Sequence, residues 1–301
     1  MRDAGECRLF RGRGPGAAGP VTGLKGGAGM SLTATRPTAR QLERGEVEVW
    51  RDFFRAAPEE VRASCGISSR DLGGATAFTV ASFPGFSLNH VTGLGIEAPA
   101  DEETLDALLD EYHSTGVKRY AVQMSPDARP EGLGAWLAGR GLRLENRWMK
   151  LYREARNPPE VKPGLHVEQV GVERAEDFAL VLLRAFGWSE SFVPWVAATV
   201  CRANWRHYLA FEGGRPVGAA ALFVWEDCGY FGFAGTLAEA RGRGAQSALI
   251  ARRARDAAEA GCRWLVVETA EDSEQRPAPS FRNLRRLGFA VAYPRPNYVP
   301  G

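Results

Sequence analysis

RGRGAQSALIARRARDAAEAG, residues 241–261, decides the fold. It follows CGYFGFAGTL (228–237), whose apolar and small residues predict a strand, and it opens a helix that Gly261 closes. A glycine-rich strand-to-helix turn aims several backbone N–H groups at one point with the positive end of the helix behind them, which makes a cradle for a pyrophosphate. Gly242 and Gly244 let the backbone approach such a group closely, and Arg241 and Arg243 add positive charge. A second RGRG, at 11–14, has no strand before it and Pro-Gly after it, so it belongs to the featureless stretch around it.

Working outward, CRWLVVET (262–269) reads as a strand, SFRNLRRLG (280–288) as a short helix and FAVAYPRPNYV (289–299) as a last strand. Upstream lie a strand at 166–171, helices over 174–186 and 191–203, and a hairpin of HYLAFEG (207–213) with PVGAAALFVW (216–225). Before these, ARNPPEVKPG (155–164) is a Pro-rich joint and the best domain boundary. The preceding half opens with a helical pattern over 38–66, with Trp50, Phe53 and Phe54 clustered on one side. Strands at 75–83 and 86–97, an amphipathic helix at 101–116, a strand at 118–124, a short helix at 131–141 and a strand at 142–154 follow. The order strand, helix, strand, helix, strand thus occurs twice, as an internal repeat. Three segments result: a Gly/Arg-rich disordered tail over 1–35, in which Met30 reads as an alternative start, and two domains over 36–155 and 163–301.

With 38 Lys and Arg against 36 Asp and Glu, the net charge of +2 points neither to a specific nucleic acid nor to an anionic membrane. No apolar run approaches the ~18 residues of a membrane span. Five scattered cysteines without a CxxC pair and four dispersed histidines speak against a metal site and for a reducing compartment, so a cytoplasmic location is expected.

RGRGAQSAL followed by LVVET and SFRNLRRLGF resembles the acetyl-CoA segment of the GNAT superfamily of N-acetyltransferases, whose pattern is [QR]xxGx[GA] at the head of a helix, then a strand, then a short helix ending in GF. Arg241 and Gly244 match the first two anchors, while Gln246 stands where Gly or Ala is usual. The resemblance covers 163–301 well and, through the repeat, 70–155 faintly. It implies an α/β fold of the mixed-sheet kind, with two GNAT-like domains in tandem, each a central mixed sheet flanked by helices. In the first copy the cradle position reads APADEE, so Asp101, Glu102 and Glu103 would repel a phosphate, which reads as a degenerate copy without cofactor that shapes the acceptor cleft of its twin.

Acetyl transfer from a thioester to an amine needs a neutral amine, a polarised carbonyl and a protonated departing thiolate. The resemblance implies that backbone groups of Ala234, Gly235 and Thr236 hold the pantetheine arm and the carbonyl. It implies further that Arg241, Gly242, Arg243, Gly244, Ala245 and Gln246 hold the pyrophosphate, with Asn283 as a further cofactor contact or a helix-surface amide. The usual thiolate-protonating Tyr position is Leu284 here, leaving Tyr293 or Tyr298 as substitutes or as packed aromatics. Glu268, at the end of LVVE, is the best placed base; Glu226 and Asp227, at the turn before GYFGF, are next, although they read more readily as solvated hairpin charges, and loss of the proton through water is a further route. Trp188 and Trp205 line the acceptor cleft or the core.

The expectation is therefore an N-acetyltransferase moving acetyl from acetyl-CoA to a primary amine of a small molecule or peptide, without metal and with homo-oligomerisation open. Its rivals are a non-catalytic acyl-CoA-binding or regulatory module, and an aminoacyl-tRNA-dependent transferase that the near-neutral charge disfavours.

Overall fold

The computed structural model describes residues 36–161 and 164–301; the expectation of a tail over 1–35 lies outside them. In chain order the first half comprises helices α1 (Ala39–Arg55) and α2 (Glu59–Cys65), strands β1 (Ile67–Leu72), β2 (Ala75–Val80) and β3 (His90–Thr92), helix α3 (Glu102–Thr115), β4 (Ala121–Gln123), α4 (Leu133–Gly139) and β5 (Leu142–Glu154). The second half comprises β6 (His166–Val170), α5 (Ala175–Phe186), α6 (Val193–Ala197), β7 (Trp205–Glu212), β8 (Arg215–Trp225), β9 (Cys228–Thr236), α7 (Ala245–Glu259), β10 (Trp264–Ala270), α8 (Pro279–Arg286) and β11 (Ala290–Pro300).

Local chemistry sets the main helices. Thr38 caps α1 by accepting from the Gln41 amide at 3.1 Å, and Leu42, Val49 and Phe53 form its buried face. Asp101 caps α3 in the same way through Thr104, and Gly116 ends it in the left-handed conformation. Helix α7 starts from Gly244 and buries Leu249, Ile250, Ala254 and Ala257 at helical spacing.

Among the described residues the eleven strands form one mixed sheet in the order β1-β2-β3-β4-β11-β5-β10-β9-β8-β7-β6. The two expected sheets are its two halves, and they exchange strands. β5, the last strand of the first half, lies between β10 and β11, while β11, the last strand of the second, lies between β4 and β5. Register is antiparallel throughout this seam, with Glu268 opposite Lys150, Leu151 opposite Val291 and Tyr298 opposite Val122. The joint at 155–164 therefore separates the chain into repeats but does not divide the sheet.

Three cores follow. One lies between the sheet and α1, α5 and α6; a second under α7 and α8; a third under α3 and α4. Helix α1 belongs to the first half by sequence yet packs on β9 of the second, where the Tyr230 hydroxyl donates to the Gln41 carbonyl at 3.1 Å.

Some expected elements differ. β1 carries Ser68, Ser69, Arg70 and Asp71 at exposed or half-buried positions of an edge strand, so it lacks the apolar alternation that marks strands in sequence. The strand expected over 86–97 shrinks to His90–Thr92 because Gly93 and Gly95 turn the chain at positive φ. The helix expected over 191–203 shrinks to α6, beyond which the chain tightens into i→i−3 turns (Thr199 to Val196, Val200 to Ala197) before Cys201 adopts positive φ.

Candidate functional site

β9 and β10 run parallel from the Trp264–Cys228 pair to the Val267–Phe231 pair and then part. The parting has a local cause. Between Ala219 and Ala221 of β8 the facing β9 register advances from Gly235 to Gly232, and within that bulge Phe233 sits at φ 44°. Beyond it Gly235 and Thr236 pair with β8 on one edge, and the edge towards β10 is open. A cavity of about 460 Å³ runs through this splay and reaches both faces of the sheet.

On the face of α7 and α8, Gln246, Ile250 and Arg253 of α7 line the cavity at helical spacing, with Ser280 and Leu284 of α8 opposite. The turn leading into α7 has the expected character. Gly242 (φ 78°) and Gly244 (φ 89°) adopt conformations that L side chains avoid, and open space surrounds both Cα atoms. Among the described residues the backbone N–H groups of 242 to 247 donate to no protein acceptor, which leaves them available to an anion. Arg243 pairs with Glu212 at 2.5 Å, whereas Arg241 reaches only the Thr236 carbonyl, at 3.4 Å.

At the position of the first half that the repeat aligns with this turn, one amide is already engaged by its own chain. The Ala100 amide, just ahead of the α3 cap, donates to the Arg129 carbonyl at 2.8 Å, and the Arg129 amide donates to the Gly95 carbonyl at 3.0 Å.

Gln246 and Asn283 are brought together: the Asn283 amide donates to Gln246 Oε1 at 2.9 Å, Gln246 donates to Ser280 at 2.8 Å, and Ser247 donates to Asn283 Oδ1 at 3.1 Å. The amide of Asn283 thereby ties α8 to α7. Ala234 lines the cavity, but a Cβ on Gly235 would come within 2.5 Å of the Ala185 Cβ, so glycine there admits α5. Leu284 is buried against the cavity. Tyr293 donates to Glu43 Oε1 at 2.5 Å, and burial raises its hydroxyl well above the ordinary tyrosine range. Tyr298 packs in the core of the first half. Asp227 accepts from Gln41 and from the Arg263 and Trp264 amides, and Trp205 is core, its indole N–H donating to Asp52 at 2.7 Å.

The opposite face of the cavity holds the charged groups. Glu268 of β10 lies in ion-pair reach of Lys150 of β5, at 3.0 Å, and of Arg295 of β11, at 2.5 Å. Glu46 of α1 pairs with Lys150 and takes Arg295 in a fork, at 2.8 and 2.9 Å, and Arg295 also reaches Glu43 at 3.2 Å. The two carboxylates that line the cavity are driven apart. At Glu46 burial, which alone would raise the value, is outweighed by Arg295 and then Lys150, and the carboxyl is held at about 2. At Glu268 burial prevails over Arg295, the negative charge of Glu46 adds to it, and the carboxyl lies above its ordinary range. A raised carboxylate in a cleft beside a splayed strand is suited to accept a proton.

Lys150, Glu46 and Arg253 escape the sequence reading. Arg253 is fully buried, with its guanidinium 4.3 Å from the Phe231 ring, and burial lowers its pKa to about 9. The available signal is its place seven residues after Gln246, on the apolar face of α7. For Lys150 it is a cation at period two between aromatic residues, Trp148-Lys150-Tyr152, and for Arg295 a cation two residues after Tyr293 in an otherwise uncharged strand.

Among the described residues no group of three or more His, Cys, Asp or Glu is arranged to hold a metal ion, and no helix is long and apolar enough to cross a membrane.

Residues 166–272 match the family model for the acetyltransferase (GNAT) domain. No curated protein matches the sequence. Among solved structures, a GCN5-related N-acetyltransferase from Kribbella flavida is similar at 18% identity, with 86% of this chain and 96% of that one covered and a TM-score of 0.60. A GCN5-related N-acetyltransferase from Sphaerobacter thermophilus is similar at 17% identity, covering 75% and 76%, with a TM-score of 0.54. A tandem GNAT protein from the clavulanic acid biosynthesis pathway is similar at 16% identity, covering 85% and 94%, with a TM-score of 0.53.

Proposed function

Taking the chain as an acyltransferase that carries a GNAT acetyltransferase domain, we propose that it transfers an acetyl group from acetyl-CoA to a primary amine of a small molecule or peptide. The observation that carries this reading is the row of unengaged N–H groups at 242 to 247, set at the mouth of a splay whose cavity opens on both sheet faces. These groups, with Arg241 beside them, fit a pyrophosphate, and the free edge of β9 at Ala234 to Thr236 fits an amide-bearing arm. Bound acetyl-CoA supplies the activated carbonyl.

The chain's own residues supply the rest. The acceptor amine enters from the face of α1, where Glu268 takes its proton, directly or through one water. Arg253 lines the donor face with Leu284, its guanidinium donating to the Ala221 carbonyl at 3.0 Å and the Leu249 carbonyl at 3.2 Å, and it brings a positive charge to the side of the cavity where the usual tyrosine is missing. The first half is a degenerate copy without a donor site, because the Arg129 carbonyl already occupies the amide ahead of α3 and Asp101 to Glu103 carry negative charge.

Titration of the full chain with acetyl-CoA by calorimetry, followed by release of free thiol in the presence of an amine panel, tests the proposal. One bound acetyl-CoA per chain and amine-dependent thiol release are expected. Binding without release to any amine favours a non-catalytic acyl-CoA module, and absence of binding refutes the reading.

A further inference from the structure

The acceptor side of the cavity is lined by aromatic rings around one available carboxylate. Building on the acyl-transfer reading above, we propose that the acceptor carries a single amino group on an aromatic or comparably bulky apolar body.

The charge count limits the number of amines. Glu46 and Glu268 are the carboxylates that line the cavity, with Lys150 beside them. Both oxygens of Glu46 are engaged by the Arg295 fork, and Lys150 adds a further contact. Glu43 is engaged by Tyr293 and Arg295. Glu268 remains: its Oε2 is held by Lys150 at 3.0 Å and Arg295 at 2.5 Å, its Oε1 has no protein partner among the described residues, and its side chain is 16% exposed. Within this cluster three carboxylates face two cations, so the surplus is one negative charge, enough to receive one ammonium. A second or third ammonium would lose its water against apolar walls or beside Lys150 and Arg295, which nothing there offsets.

The walls determine the body of the acceptor. Trp50, Trp148, Phe186, Trp188, Tyr230 and Phe233 line the cavity. Several of these rings are braced by others. Trp148 stacks on Phe86 at 5.8 Å, Trp188 stacks on Phe186 at 5.1 Å and meets Phe83 edge-on at 5.5 Å, and Trp50 abuts His90 at 4.6 Å. Rings held this way form a surface that exists before the guest arrives, so little ordering is needed on binding. Phe186 is 42% exposed although it is large and apolar, as expected of a contact surface whose partner is a ligand. Polyamines and aminoglycosides call for several open carboxylates, whereas a one-ring or two-ring amine calls for what is present.

The test titrates 2-phenylethylamine, tryptamine and spermidine into the full chain, with and without saturating acetyl-CoA, and measures initial rates for the same three amines. At least about tenfold tighter binding and higher kcat/KM are expected for the two aromatic amines than for spermidine, the scale of burying one aromatic ring. Trp188→Ala should raise KM for 2-phenylethylamine while leaving acetyl-CoA affinity unchanged, and Trp148→Ala gives the same readout should the first variant misfold. Equal or tighter binding of spermidine, or binding of none of these amines, overturns the proposal. Failure to bind acetyl-CoA overturns instead the acyl-transfer reading beneath it, and the amine preference is still read from the titration without it.

Discussion

Glu46 and Glu268 face the same two cations with opposite displacements of their pKa, so replacing each by glutamine should move stability in different directions. At Glu46 the carboxyl falls from 4.5 to about 2 on folding. At about 1.4 kcal/mol per unit this is roughly 3 kcal/mol of stability resting on its negative charge, in line with the cost of breaking a buried ion pair. A depressed carboxyl stabilises the fold above its unfolded value and loses that contribution as the pH falls through its folded value. The contribution of Glu46 is therefore complete at neutral pH and declines between about 4.5 and 2. Glu268 is raised, so its ionisation costs stability as the pH rises from the ordinary carboxylate range through its folded value. In Glu268→Gln the carboxylates of Glu43 and Glu46 still balance Lys150 and Arg295.

Urea unfolding followed by tryptophan fluorescence at pH 7 and pH 3 measures both. Glu46→Gln is expected to lose about 3 kcal/mol at pH 7 and roughly half of that at pH 3. Glu268→Gln is expected to match or exceed wild-type stability at pH 7 while losing roughly 10²- to 10⁴-fold in amine-dependent thiol release. Equal losses in the two variants, or a larger loss in Glu268→Gln, would refute the assignment of the base to the raised carboxyl.

The strand exchange predicts that a fragment of residues 164–301, deprived of β5 between β10 and β11, does not form a stable monomer, whereas mixing it with a fragment of 36–161 restores the fold; circular dichroism with gel filtration decides, and a stable monomer from 164–301 alone contradicts it. Arg241→Ala should weaken acetyl-CoA binding by about tenfold, the lower end for a lost charge-assisted contact, with the melting temperature within about 2 °C of wild type; unchanged affinity would place the anion elsewhere. Gly244→Ala, by contrast, should lose about 1–2 kcal/mol even without ligand, because an L side chain at φ 89° is strained. Burial lowers His90 and His207 to about 3, so both stay neutral in the fold and gain a proton on unfolding below 6.5. In the Glu268→Gln background, which removes the opposing carboxyl, stability should fall by about 2.4 kcal/mol from pH 6 to pH 5; half that slope would mean that one ring is protonated in the fold, and a flat profile that both are.

The cradle was legible because its determinants are contiguous: a strand of small residues, two glycines at forced backbone angles and a helix with a regular apolar face lie within about thirty residues of sequence. Glu268 was legible for a related reason, as the carboxylate ending an apolar strand next to that turn. The exchange of β5 and β11 was not. Each repeats an apolar and polar alternation compatible with either neighbour, and partners such as Glu268 and Lys150 are more than a hundred residues apart, so no local pattern fixes the pairing. For Asn283 and Gly235 the sequence did not show the packing that the structure adds, the Asn283 side chain tying α8 to α7 and the missing Cβ of Gly235 admitting α5.

The same exchange explains why the site could not be assembled from the second half of the sequence alone. α1 supplies Glu46 and Trp50, and β5 supplies Trp148 and Lys150, yet all four line a cavity whose other wall is built from α7 and α8. Without Lys150 the buried cluster would hold three carboxylates against one guanidinium, and Glu46 would lose one of the two cations that keep it ionised. Protonation of the carboxylates lining the cavity thus depends on a strand contributed by the first half of the chain. Under the proposed function, the first half would act on the chemistry through the charges and rings it lends across the seam, and a substitution in β5 such as Lys150→Met should shift the pH dependence of transfer upward, since removing a cation raises both carboxyls. A pH–rate profile of that variant with unchanged limits would show that β5 serves the sheet alone.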